Sequence, residues 1–132
     1  MEKQGLRKHF ESGNLDLETF SHEQHIRLAW LYLGEKTIPE TMVALSNGLR
    51  HLTVQANRPE VYHETLTCAW VCLIADRRNR AKDSGCWNAF KASNPDLFTD
   101  HRALLGRYYS PELLKKPQSR IHFQLPDRLA AG

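Results

Sequence analysis

The segment 26–33, which reads IRLAWLYL, constrains the fold most because it is apolar on nearly every helical face and follows a helix-start signal. Ser21 and Gln24 have the spacing of a capping box, in which two side chains satisfy free backbone N–H groups at a helix start. Gly34 is a typical residue at which a helix ends. A helix that is apolar all round has to be covered by other elements. We therefore expect a largely buried helix here, with further helices packed around it.

Two more long helices are predicted by apolar residues that recur with helical spacing. The first begins near Pro39, because proline is favoured in a first helical turn, and it ends at residues 57–59. The second begins at about Pro59 and runs to about Lys82. No segment of useful length alternates polar and apolar residues with the period of a strand. The chain is therefore predicted to be an all-α bundle with three main helices.

Shorter elements are predicted in the C-terminal third. Two or three short helices are expected, over about 86–92 and 100–108 and in a turn that Ser110 opens. From Pro117 onward, prolines and polar residues predict an extended tail that packs across the bundle.

The length of 132 residues suits one domain with a real core, so we predict a single helical domain over 1–132. Residues 1–19 and 117–132 are expected to be extended or peripheral. Residues 1–9 lack the apolar segment of a signal peptide, and no apolar run is long enough to span a membrane. Three cysteines, an odd number, argue against a disulfide framework and predict a cytoplasmic protein with reduced thiols.

The net charge of +3 is mild and does not indicate a polyanionic partner. Basic residues at the end of the third main helix complement the helix dipole, which is the simplest interpretation of this cluster. These residues are Arg77, Arg78, Arg80 and Lys82. We therefore expect neither nucleic acid nor a membrane as partner, and we leave open whether the chain forms homo-oligomers.

Histidines mark the starts of two predicted helices. His22 and His25 lie in about the first turn of the first main helix, and His63 lies about one turn into the third. Consecutive helices joined by short loops usually run up, down and up, which places both starts at one end of the bundle. His51, near the end of the second helix, is then a candidate fourth member. Three neutral imidazoles suit a divalent transition metal such as iron, copper or zinc.

The function that we predict is that of a small metal-dependent enzyme acting on a small organic substrate. His22, His25 and His63 would hold one metal ion, with oxidative chemistry slightly favoured over hydrolysis. Glu64 points about 100° away from His63 on a helix, so we assign it as a general base or as an orienting group. Tyr62 is a candidate proton donor.

Structural interpretations compete with these assignments. Thr67 and Trp70 follow His63 at helical spacing, and they either line a pocket or pack in the core. Cys68 and Cys72 are interpreted as small buried thiols. The alternative function is a non-enzymatic ligand-binding or interaction module, in which the histidines are structural and His63 hydrogen-bonds a neighbouring helix.

Two motifs carry a resemblance to other proteins. They read Phe20-x-His22-x-x-His25-x-Arg27-x-Ala29-Trp30-x-Tyr32-Leu33 and Tyr62-His63-Glu64-Thr65-x-Thr67. With a C-terminal part that includes Tyr108-Tyr109-Ser110 and Pro126-Asp127, the chain resembles a group of small bacterial helical proteins of unassigned function. The resemblance covers most of the chain, and it implies a single domain in which the histidine motifs act as a unit.

Overall fold

Eight α-helices make up the part of the chain that the computed structural model describes, residues 3–80 and 85–128. They are α1 (Lys3–Ser12), α2 (His22–Leu33), α3 (Ile38–Gln55), α4 (Glu64–Arg80), α5 (Trp87–Ser93), α6 (His101–Gly106), α7 (Pro111–Lys115) and α8 (Pro117–Ile121). These residues contain no strand, so the all-α prediction is confirmed for the described chain. None of the described helices is long and apolar enough to cross a membrane.

The three longest helices, α2, α3 and α4, contact one another in pairs. Helix α2 begins with the predicted capping box: the Gln24 N–H donates to Ser21 Oγ, and the Ser21 N–H donates to Gln24 Oε1, both at 3.1 Å. A second capping box, between Thr37 and Glu40, starts α3. Local side-chain signals therefore set where these two helices begin.

Helix α4 begins later than the sequence indicates. Pro59 opens a single turn of 3-10 helix, and Tyr62 after it has an extended backbone that interrupts the helix. His63 is the N-cap, because its carbonyl accepts the first helical hydrogen bond, from the Thr67 N–H at 3.1 Å. The prediction of one continuous helix from Pro59 is wrong, since the His63 imidazole rather than a proline satisfies this helix start. His63 thus stands at the start of α4 and not one turn inside it.

Helix α1 belongs to the core, whereas the sequence predicts residues 1–19 to be extended or peripheral. Leu6 and Phe10 lie four residues apart on one helical face, and both are buried. The Phe10 ring packs directly on Gly48 of α3, where an added Cβ would overlap the ring. The prediction fails because burial of α1 depends on a glycine in another helix, which no local pattern records.

The C-terminal tail packs against α4, as predicted, but its first part is helical. Pro117 occupies the first turn of α8, so the expectation of extended chain is wrong for Pro117–Ile121. The buried Thr65 hydroxyl of α4 donates to the Ser119 carbonyl at 2.7 Å and accepts from the Gln124 N–H at 3.1 Å. The Thr65 side chain therefore hydrogen-bonds to the tail at two positions.

The basic residues at the end of α4 have partners inside the molecule. Arg77 donates to both carboxylate oxygens of Asp96, at 2.8 and 2.7 Å. The guanidinium of Arg78 lies 4.4 Å from the centre of the Trp30 ring. Lys82 lies outside the described residues. At least two of the four predicted basic residues are therefore engaged within the fold.

Candidate functional site

A cavity of about 410 Å³ lies where the start of α2, the end of α3 and the start of α4 meet α6. It is lined by six residues that the sequence singles out: His22, His25, Tyr62, His63, Thr67 and Trp70. The prediction that the two histidine-bearing helix starts share one end of the fold is therefore confirmed. Apolar side chains make up much of the remaining wall, among them Phe20, Leu49, Leu66 and Leu105.

His25 lines this cavity and contains a buried nitrogen that makes no hydrogen bond. The ring lies beside Phe20, with 6.2 Å between the ring centres. Although part of the imidazole is accessible, Nε2 is shielded from solvent and makes no hydrogen bond. Burial lowers the pKa of His25 to about 4, so the ring is neutral near pH 7. Neither ring nitrogen of His25 is hydrogen-bonded within the described chain, and a neutral imidazole offers one donor and one acceptor to a bound molecule.

His22 uses one of its two ring nitrogens to hold its position. Nε2 donates to the Leu97 carbonyl at 2.8 Å, which assigns the lone pair to Nδ1. The ring stacks on His101, with centres 3.9 Å apart, and meets the edge of Trp70 at 5.1 Å. Burial and the neighbouring His101 lower the pKa of His22, while the hydrogen bond to Leu97 opposes them. His22 is therefore a fixed, neutral ring with one nitrogen free of protein hydrogen bonds.

His63 uses both ring nitrogens within the protein. Nδ1 accepts from the Leu66 N–H at 3.2 Å, which caps α4. Nε2 donates to the Leu114 carbonyl of α7 at 2.9 Å. This is the bond to a neighbouring helix that the structural interpretation expects. In this arrangement His63 has no lone pair left for a metal ion.

Glu64 does not line the cavity, and it connects to it only through Tyr62. Its Oε1 accepts hydrogen bonds from the Tyr62 hydroxyl, from Ser46 Oγ at 3.1 Å and from Arg50 Nη2 at 3.4 Å. The Tyr62 ring lines the cavity, and burial together with the Glu64 hydrogen bond raises the pKa of its hydroxyl. A role for Glu64 at the cavity would therefore have to act through Tyr62.

His51, the candidate fourth member, lies away from the cavity. Its side chain is exposed on α3, next to Gly13, and it is not among the lining residues. Within residues 3–80 and 85–128, no group of three or more histidine, cysteine or acidic side chains is arranged to hold a metal ion. The metal centre stays a prediction, and the geometry of His63 does not favour it as a third ligand.

Helix α6 contributes lining residues that the sequence analysis does not identify, namely His101, Arg102 and Leu105. His101 is the first residue of α6, just as His22 is the first residue of α2. A histidine at the start of a predicted helix is therefore the signal by which α6 could be identified as a candidate part of the site. Nothing local shows, however, that this short helix packs beside α2.

No protein-family model, no curated protein and no solved structure matches this chain. The function has to be argued from the site itself.

Proposed function

We propose that the protein binds a small organic molecule in the histidine-lined cavity and that His25 provides the main polar contact. The observation that carries this proposal is a cavity lined by His25, a residue whose shielded Nε2 makes no hydrogen bond within the described chain. Burying such a group without a partner costs about 1–3 kcal/mol, so a ligand that pairs with it recovers this free energy.

The shape and composition of the cavity agree with a small ligand. Its volume of about 410 Å³ lies in the range of ordinary small-molecule sites. Apolar side chains line much of it, and a few polar groups interrupt them. Such a wall buries the body of a ligand and leaves orientation to a small number of hydrogen bonds.

Substitution of His25 tests this proposal. His25→Phe removes the nitrogen, and His25→Gln returns an amide near the same position. We expect ligands found by thermal-shift screening of small organic molecules to lose at least about tenfold in affinity with His25→Phe and to recover in part with His25→Gln. His51→Phe, outside the cavity, is the matched control. Equal affinity of His25→Phe and wild type for every ligand found would contradict the proposal.

A metal-dependent enzyme is the second candidate, because four imidazoles line one cavity. His22 Nδ1 and both ring nitrogens of His25 make no hydrogen bond with the described part of the protein, so these two residues would be the ligands. Bound iron or copper would supply oxidative chemistry, and zinc would supply hydrolysis. Tyr62, backed by Glu64, would hold or donate a proton beside the substrate.

Elemental analysis of the purified protein separates the two candidates. Stoichiometric metal that disappears in His22→Ala and His25→Ala would support the metalloenzyme. If His63 is only structural, His63→Asn should keep that metal. Absence of metal, together with ligand binding that a chelator does not change, would support the metal-free binding protein.

A further inference from the structure

The charged side chains that line the cavity are of one sign. Among the lining residues that the structure describes there is no aspartate or glutamate, and Arg102 is the only lysine or arginine. His22 and His25 are held neutral by burial, so they add no permanent positive charge. A cationic ligand would thus meet no opposite charge, whereas a ligand with one negative charge would meet one guanidinium.

Arg102 is free to pair with such a ligand. Its side chain is exposed at the cavity, and it forms no ion pair or hydrogen bond with the described part of the chain. Arg50 and Arg58, on the neighbouring α3 and the loop after it, pair instead with Glu64 and Glu18. An arginine left unpaired beside a concave, largely apolar surface is suited to a carboxylate, which its planar fork binds through two parallel hydrogen bonds.

We infer that the ligand is a small organic monocarboxylate, with its carboxylate at Arg102 and its apolar body between Trp70 and Leu105. This inference rests on the proposed function, since it names the ligand class of the same cavity. A phosphate ester is disfavoured, because a doubly charged group would face a single guanidinium in a largely apolar wall. The hydrogen bond at His25 would then be made by a second polar group of the ligand.

Matched pairs of acids and amides test the charge requirement. Each probe carries a hydroxyl as the second polar group: 4-hydroxybenzoate and 4-hydroxybenzamide, 3-(4-hydroxyphenyl)propionate and its amide, and 4-hydroxycyclohexanecarboxylate and its carboxamide. Binding is measured by calorimetry and by tryptophan fluorescence. We expect at least one acid to bind about tenfold or more tightly than its amide, because a hydrogen bond to a charged group is stronger than a neutral one.

The variant Arg102→Gln should remove this preference by weakening the acid about tenfold while leaving the amide unchanged. Arg107→Gln is the matched control, because Arg107 is exposed just after α6 and does not line the cavity. Equal binding of acids and amides, or the same effect of both variants, would overturn the inference while the proposed function stands. Failure of wild type to bind any probe at millimolar concentration would overturn the inference, and failure of the broader ligand screen as well would overturn both.

Discussion

Four histidines line one cavity, and the three that the sequence predicts have different chemical roles because their hydrogen bonds differ. His63 has both nitrogens engaged by backbone groups, His22 has one engaged, and Nε2 of His25 has no partner. A ring with both nitrogens engaged stabilises the fold, whereas an unpaired nitrogen at a cavity is available for binding. The hydrogen-bond partners, rather than the residue type, thus decide what each histidine does.

Protonation of His25 should make the protein less stable in acid. The unfolded ring, with a pKa near 6.5, binds a proton that the folded ring, with a pKa of about 4, does not bind. The unfolded state therefore holds more protons between these values, and stability is lost as the pH falls through this window. His25 alone contributes about 3 kcal/mol to the loss. Urea denaturation between pH 7 and pH 4 measures it.

The variant His25→Phe should show a shallower dependence of the unfolding free energy on pH than wild type. His51→Phe, which replaces an exposed histidine, should keep the wild-type slope. Parallel slopes for wild type and His25→Phe would show that the folded protein does not exclude a proton from this ring.

Two substitutions of His63 should separate its two hydrogen bonds. Asparagine is a good N-cap residue but is too short to reach the Leu114 carbonyl, whereas alanine loses both contacts. We expect His63→Asn to cost about 1 kcal/mol and His63→Ala about 2 kcal/mol of unfolding free energy. Urea denaturation at pH 7 measures both, and equal costs would mean that the imidazole contributes nothing as a cap.

At the scale of the elements, some helices are positioned by neighbouring residues and others by contacts between distant parts of the chain. Helices α2 and α3 begin at capping boxes built from neighbouring residues. Helix α4 begins at His63, whose ring also holds α7. Helix α1 packs closely on α3 because residue 48 of α3 is a glycine. The starts of α2 and α3 are set by neighbouring residues. The contact of His63 with α7 and the contact of α1 with α3 instead join elements that are distant in the sequence.

The contact between α1 and α3 gives a test at this scale. Gly48→Ala should destabilise the protein by about 1–3 kcal/mol, because the new methyl overlaps the Phe10 ring. This cost opposes the higher helix propensity of alanine, which is worth about 1 kcal/mol. Gly106→Ala is the control, since a Cβ there meets nothing within 4 Å. Thermal unfolding that ranks Gly48→Ala equal to or above Gly106→Ala would contradict the packing.

At the scale of the whole molecule, one hydrophobic core connects α1 to α6. Buried residues of these helices form a single cluster, and the partly buried leucines of α7 pack against it. The cluster includes all three tryptophans, Trp30 of α2, Trp70 of α4 and Trp87 of α5. Helices that share one core lose it together, so we expect cooperative unfolding.

Tryptophan fluorescence and far-UV circular dichroism should therefore report the same urea transition, with the same midpoint and slope. Fluorescence reports burial of the three tryptophans, while circular dichroism reports all helices. A circular dichroism transition at lower urea than the fluorescence transition would mean that some helices unfold separately from the core.

Much of the helical pattern could be predicted from the sequence, because its signals are local. The capping box at Ser21 and Gln24 forms as predicted, and α3 lies close to the predicted range, with Leu45, Leu49 and Leu52 buried. The Pro59 boundary was misplaced because the cap is a histidine, a residue that rarely marks a helix start. The grouping of His22, His25 and His63 follows from connectivity, whereas no local signal shows that α6, which begins at His101, packs beside α2.

The sequence alone determined the helical class and most helix positions, since capping and apolar spacing act over a few residues. Only the tertiary structure decided which imidazole nitrogens remain available. The partner of His22 is 75 residues away, and the partner of His63 is 51 residues away. Such contacts form only when α7 and the turn before α6 pack against the long helices, and His25 is left as the cavity-lining histidine with a shielded, unpaired Nε2.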